Sequence, residues 1–140
     1  MSAVSREIVE AYRVAIYEVD GPSGIVQFRI DEPNAAMDRL LASAGMGTGA
    51  FITAYNPASV ALCEAENRAA HENLQGELER RAVAYFAARG LDPTRQWPAE
   101  PGFLVLGLAR EDAVALGRRF DQNGIVWLAA GRAPELVLLR

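Results

Sequence analysis

The sequence predicts an α/β (α+β) fold, a single domain in which helices pack on a mixed sheet. The chain has 140 residues, a length at which one hydrophobic core buries about two thirds of the unfolded surface. Hydrophobic residues make up 51% and charged residues 23%, a balance that argues against a mainly disordered chain. Short apolar runs of strand length alternate with segments of helical period, and Gly- or Pro-containing breaks separate them.

Taken in order, residues 5–18 place Ile8, Tyr12 and Ala15/Ile16 at spacings of three and four. That spacing predicts a helix, with Ser5 as its cap. Asp20 to Gly24 predicts a turn and Ile25 to Ile30 a strand. Pro33 to Ala44 reads as a short helix with Met37, Leu40 and Leu41 inward, ended by Gly45, Gly47 and Gly49. Ala50 to Tyr55 is a predicted strand stopped by Asn56-Pro57. A long helix is expected from about Leu62 to Arg81, or from Pro57 at its earliest. Ala82 to Ala87 follows as a strand closed by Arg89-Gly90, and LDPTRQWPAEP as a proline-rich loop. Phe103 to Leu108 predicts a strand, and Glu111 to Phe120 a helix with Ala113, Leu116, Gly117 and Phe120 on one face. Ile125 to Leu128 and Leu136 to Leu139 are the last strands. From residue 50 the order is therefore β-α-β-β-α-β with one further strand. This is the ferredoxin-like order, preceded over residues 1–49 by a helix-strand-helix extension.

Composition excludes several functions. The net charge is −4 and all 14 basic residues are arginines. An acidic chain without basic-aromatic interleaving disfavours nucleic-acid binding. The pairs Arg80-Arg81 and Arg118-Arg119 fall near predicted helix ends, where they complement the helix dipole. Cys63 is the single cysteine, so no internal disulfide forms and a cysteine metal site is excluded. It is expected to be a small buried hydrophobe. His71 is the one histidine. Eight residues along one helix put it about 12 Å from Cys63, too far for a dyad. No metal and no cofactor is expected. The N-terminus lacks a signal-peptide core and no apolar run is long enough to cross a bilayer. A cytoplasmic location without membrane contact is the resulting expectation. The run Gly45-Met46-Gly47-Thr48-Gly49 precedes a strand, whereas phosphate loops follow one, so it reads as a connection.

The segment TAYNPASVALCEAEN, residues 53–67, is the richest in candidate site residues. Asn56 is expected to cap a helix opened by Pro57, with the hydroxyls of Thr53 and Ser59 beside an anion-binding helix start. Asn67 shares a helical stripe with Leu74 and Leu78, so its amide needs partners, from the 53–59 loop or from a ligand. Gln122 and Asn123 form a second polar pair between helix and strand. Trp97 and Trp127 are candidate aromatic walls, and Glu100 is the candidate acid or base.

The stretches FITAYNPAS (51–59), CEAEN (63–67), WPAEPGFLVLG (97–107) and FDQNGIVW (120–127) resemble the bacterial DUF3293 family, whose members are uncharacterised. The resemblance runs from about Phe51 to the C-terminus. It singles out Thr53, Asn56, Pro57, Ser59, Asn67, Trp97, Glu100, Gln122, Asn123 and Trp127. Two positions depart from the family pattern: Gly102 stands where Ser is usual, and Gly124 where Ala is. The first removes a hydroxyl from any mechanism that needs one. The resemblance implies a shared site and no particular reaction. The amides and hydroxyls of Thr53, Asn56, Ser59, Asn67, Gln122 and Asn123 suit a small polar ligand, such as a nucleobase, sugar or amide-bearing molecule. A protein partner is the other binding reading. The alternative is an enzyme acting on a nucleotide-like or small polar substrate through Glu100. A third reading is a homodimer paired through the terminal run Glu135 to Arg140.

Overall fold

In the computed structural model, which describes residues 4–140, the chain begins with α1 (Arg6–Val14), β1 (Ile16–Gly21), β2 (Gly24–Phe28) and α2 (Ala35–Ser43). It continues with β3 (Thr48–Ile52), α3 (Glu64–Arg80), β4 (Tyr85–Leu91), β5 (Glu100–Leu106), α4 (Arg110–Arg119), β6 (Gly124–Ala129) and β7 (Glu135–Leu138). The strands form one seven-stranded sheet in the order β2-β1-β4-β5-β3-β6-β7. Each hydrogen-bonded neighbour pair is antiparallel. The sheet is therefore antiparallel throughout, not mixed as expected, because the crossovers through α3 and α4 each skip one strand instead of joining neighbours. Strands β3 and β4, joined by α3, run parallel with β5 between them, and β5 and β6, joined by α4, run parallel with β3 between them.

Strand parity divides the interior into two cores. Phe51, Leu104, Leu106, Val126 and Leu128 face one way, against Met37, Leu40 and Leu41 of α2, with Tyr17, Val19 and Phe28 of the first hairpin. Ala50, Ile52, Phe103, Val105 and Ile125 face the other way, against Leu74 and Leu78 of α3 and Ala113 and Leu116 of α4. The central strands β3 and β5 are buried on both faces, which explains why they read as unbroken apolar runs.

The N-terminal extension differs from its expected form. The helix ends at Val14, and Ile16 to Gly21 leave it to become a strand. Alternation decides the matter: Tyr17 and Val19 are buried while Glu18 and Asp20 point outward, to Arg89 on β4. Gly21 pairs with Gly24 across Pro22-Ser23, so the predicted turn joins two strands of a hairpin. Ser5 does cap α1, accepting a bond from the Ile8 amide at 3.3 Å. Strand β4 also starts later than expected, and Gly90 lies inside it. Gly90 lies under the ring of Tyr17, where a Cβ would make ordinary contact at 3.5 Å. In the glycine run, Gly45 takes φ +70° after α2 and Met46 donates its amide to Leu41, the bond of a helix terminus. No described helix is long and apolar enough to cross a membrane.

Candidate functional site

Three strand ends meet at one edge of the sheet. Because β3 is antiparallel to both β5 and β6, its last residues lie beside Glu100 at the start of β5 and Asn123 just before β6. The loop leaving β3 is built by its own side chains. Thr53 Oγ1 donates to the Pro101 carbonyl at 2.6 Å and accepts from the Tyr55 amide at 3.0 Å, a local turn bond typical of hydroxyl side chains.

Asn56 is the centre of the arrangement. Its φ of 47° is left-handed, a conformation that asparagine tolerates better than most residues. Its amide N–H donates to Asn67 Oδ1 at 2.8 Å, and Asn67 Nδ2 donates back to Asn56 Oδ1 at 2.8 Å. The same Oδ1 accepts from the Leu62 amide at 3.1 Å, and Asn56 Nδ2 donates to Glu100 Oε2 at 2.9 Å. Asn67 is buried on the stripe with Leu74 and Leu78, as its spacing predicts. The helix expected at Pro57 is a single 3-10 turn, Pro57–Ser59, with no side-chain cap. The Asn56 side chain is committed to Asn67, Leu62 and Glu100, so the expected capped, anion-binding helix start does not form. Helix α3 starts at Glu64 instead, with Cys63 as its N-cap; Cys63 is exposed, not buried as expected.

Strain concentrates in this loop. Ala58 and Ser59 also take positive φ, 55° and 61°, at about 1–2 kcal/mol for each such non-glycine residue. Bonds to the segment after α4 hold them there. Ala58 donates its amide to the Asp121 carbonyl, and Asn123 Nδ2 donates to Ser59 Oγ at 2.8 Å. Gln122 Nε2 donates to the carbonyls of Tyr55 at 3.2 Å and Phe120 at 3.3 Å. Gln122 and Asn123 are both buried.

On the α2 side of the sheet, two tyrosines complete the site. Tyr12 of α1 packs beside Gly124, where a Cβ would come within 3.5 Å of its ring. Burial raises its pKa most, and the charge of Glu100 adds to that rise; the side chains of Ser59 and Asn123 work against it. Tyr17 is raised further, by burial first and then by Tyr12 and Glu100, and its hydroxyl donates to the Tyr12 carbonyl at 3.2 Å. Glu100 itself is pushed above the usual carboxylate range by burial, against the opposing bond from Asn56. Among the described residues no arginine pairs with Glu100.

The structure thus gathers Thr53, Asn56, Ser59, Asn67, Glu100, Gln122 and Asn123 around one sheet edge. The two tryptophans are elsewhere. Trp97 is 73% exposed in the loop after β4, its amide held by Asp92 Oδ2 at 3.2 Å. Trp127 points to the α4 side of β6, with Arg110 near its ring. It stands three positions past Gly124, and that odd count turns it to the sheet face opposite Gly124 and Tyr12. Tyr12 and Tyr17 are the site neighbours that sequence reasoning missed. The only signal for Tyr12 was its place on an apolar stripe that reads equally well as core. No group of three or more His, Cys, Asp or Glu residues with metal-binding geometry occurs among the described residues.

No curated protein and no solved structure matches the chain. A family model described as a protein of unknown function, DUF3293, matches residues 52–125. The match runs from the end of β3 into β6, over more than half of the chain and all of the gathered site residues except Tyr12 and Tyr17. This chain is a member of the DUF3293 family.

Proposed function

We propose that the protein is a binding module for a small polar ligand, with Glu100 as the acceptor that anchors it. One observation carries this reading: Glu100 is a half-buried carboxylate with a single side-chain donor, Asn56, and no ion-pair partner among the described residues. Burying a carboxylate is costly unless donors or cations satisfy it. A ligand bearing an amide, amine or nucleobase N–H supplies what the protein leaves out. Ser59 is exposed on the same loop, where its oxygen accepts from Asn123 and its side chain hydrogen-bonds Tyr12. In this reading Asn56, Asn67, Thr53 and Gln122 are positioning residues. Their polar atoms are spent on the loop that presents Glu100 and Ser59.

The test is a thermal-shift titration of the whole chain with nucleosides, amino-acid amides, amines and sugars, run beside Glu100→Gln and Ser59→Ala. The expected result is a concentration-dependent rise in Tm with a donor-bearing compound, lost in Glu100→Gln. No rise with any class, or an equal rise in Glu100→Gln, refutes the reading.

A second reading has its own support. A carboxyl with a raised pKa beside three residues at strained positive φ, Asn56, Ala58 and Ser59, is what acid–base sites often contain. Under that reading Glu100 donates or accepts a proton on the bound ligand. Turnover that is lost in Glu100→Gln while binding persists distinguishes it from simple binding.

A further inference from the structure

We propose that Trp127 belongs to a second binding site, which takes a planar aromatic ring carrying an anionic group, as in a nucleoside monophosphate. The indole is half-buried on β6 and forms the floor of an open cleft of about 270 Å³ beside the start of α4 and the β6–β7 turn. This lies on the opposite sheet face from Tyr12 and Glu100, so the site is independent of the polar one.

Three features of the cleft select the ligand. Ala129 and Ala133 line it with side chains too short to cover the ring. The Arg110 guanidinium carbon stands over the Trp127 ring, 5.9 Å from its centroid, a cation–π contact that supplies positive charge at the indole. Its two bonds to Glu135, at 3.0 and 2.9 Å, hold it at that place, and the indole keeps the exposed part that Arg110 does not cover for a flat ring to stack on. Arg132 lines the same cleft and pairs with no carboxylate among the described residues.

With Arg110 and Arg132 set against the single carboxylate of Glu135, the cleft is locally positive on a chain whose net charge is −4. An indole platform accepts any flat ring, and an unpaired guanidinium at its rim accepts a phosphate or carboxylate. The volume lies just below the roughly 300–1,000 Å³ of small-molecule clefts, so it suits one base with its phosphate rather than a larger enclosed ligand.

Indole fluorescence reads this site directly. The chain has two tryptophans, so Trp97→Phe leaves Trp127 as the sole emitter. AMP should quench or shift its emission saturably, with affinity at least tenfold above that of adenosine or ribose 5-phosphate. Adding Arg132→Gln should weaken AMP about tenfold without changing the unfolding midpoint, whereas adding Asn56→Ala should leave AMP affinity unchanged in folded protein. Non-saturable quenching equal to that of free tryptophan overturns the proposal. So does equal binding of ribose 5-phosphate, or AMP affinity unaltered by Arg132→Gln. Loss of AMP binding in folded Asn56→Ala protein overturns the independence of the two sites. Failure of the Glu100 titration leaves this result intact, because the readouts sit on opposite sheet faces.

Discussion

Asn56 and Asn67, eleven residues apart, exchange two hydrogen bonds of 2.8 Å each, one to the Asn56 amide N–H and one to its side-chain oxygen. The pair ties the strained loop after β3 to the buried face of α3. It also fixes the Asn56 side chain, whose Nδ2 donates to Glu100.

Asn67→Ala should therefore be destabilising out of proportion to its size. It removes the acceptor for the Asn56 amide and leaves that N–H without its partner, at a cost of about 1–3 kcal/mol. Urea denaturation is expected to show a lower midpoint with an unchanged slope. A midpoint equal to wild type means that water or another side chain replaces the Asn67 oxygen.

Gly102→Ser should destabilise as well, although the family resemblance makes Ser the usual residue there. A Cβ at this position would lie 2.6 Å from the Ile52 carbonyl oxygen and 3.0 Å from two atoms of the Phe51 ring. The first contact is backbone and gives way only if β3 and β5 separate. A loss of about 1–3 kcal/mol follows from such overpacking, and calorimetry of the variant checks it. A Tm at or above wild type would show that the Phe51 ring and the strand shift at little cost.

The two central strands and the helix stripes were legible because burial on both faces or on one stripe leaves a strong apolar pattern in sequence. Asn67 was found the same way, as a polar residue on an apolar stripe. The break between α1 and β1 was not legible. Ile8, Tyr12 and Ile16 keep helical spacing across it, and only Tyr17 and Val19 betray the strand period. What placed Tyr12 and Tyr17 near Glu100 is the insertion of β1 against β4, a long-range pairing with no local signature. Trp127 closes the FDQNGIVW motif, but it stands three positions past Gly124, so strand parity turns its ring to the face away from Tyr12. Cys63 looked like a core residue by type alone, and its role at the N-cap left it in solvent.

Glu100 predicts a pH dependence of definite sign. Burial raises its folded pKa above the ordinary 4.5, so between those two values the folded chain holds a proton that the unfolded chain has lost. Stability from this residue is therefore full at low pH and is lost as pH rises through the raised value. Other acids, such as Glu18 and Glu135, are held low by their partners and act in the opposite direction. The difference between wild type and Glu100→Gln isolates the effect. Equilibrium unfolding from pH 4 to pH 8 should show Glu100→Gln gaining on wild type as pH rises. A pH-independent difference would mean that Glu100 is solvated in the folded state.

His71 predicts the reverse slope and a gain on replacement. Its ring stacks on Phe103 at 4.5 Å and meets Tyr55 edge-on at 5.8 Å, and its Nδ1 is buried without a partner. Burial pushes its pKa below 6.5, with the nearby Arg68 adding to the fall and Glu72 opposing it. As pH falls from 6.5, the unfolded chain takes up a proton before the folded one does, and stability declines. Phenylalanine keeps the stack and removes both the orphan nitrogen and the titration. His71→Phe should thus be more stable by about 1 kcal/mol at pH 7, with the gain widening toward pH 5. Urea midpoints at the two pH values decide it: a constant or shrinking gain shows that His71 protonates as readily in the folded chain as in the unfolded one.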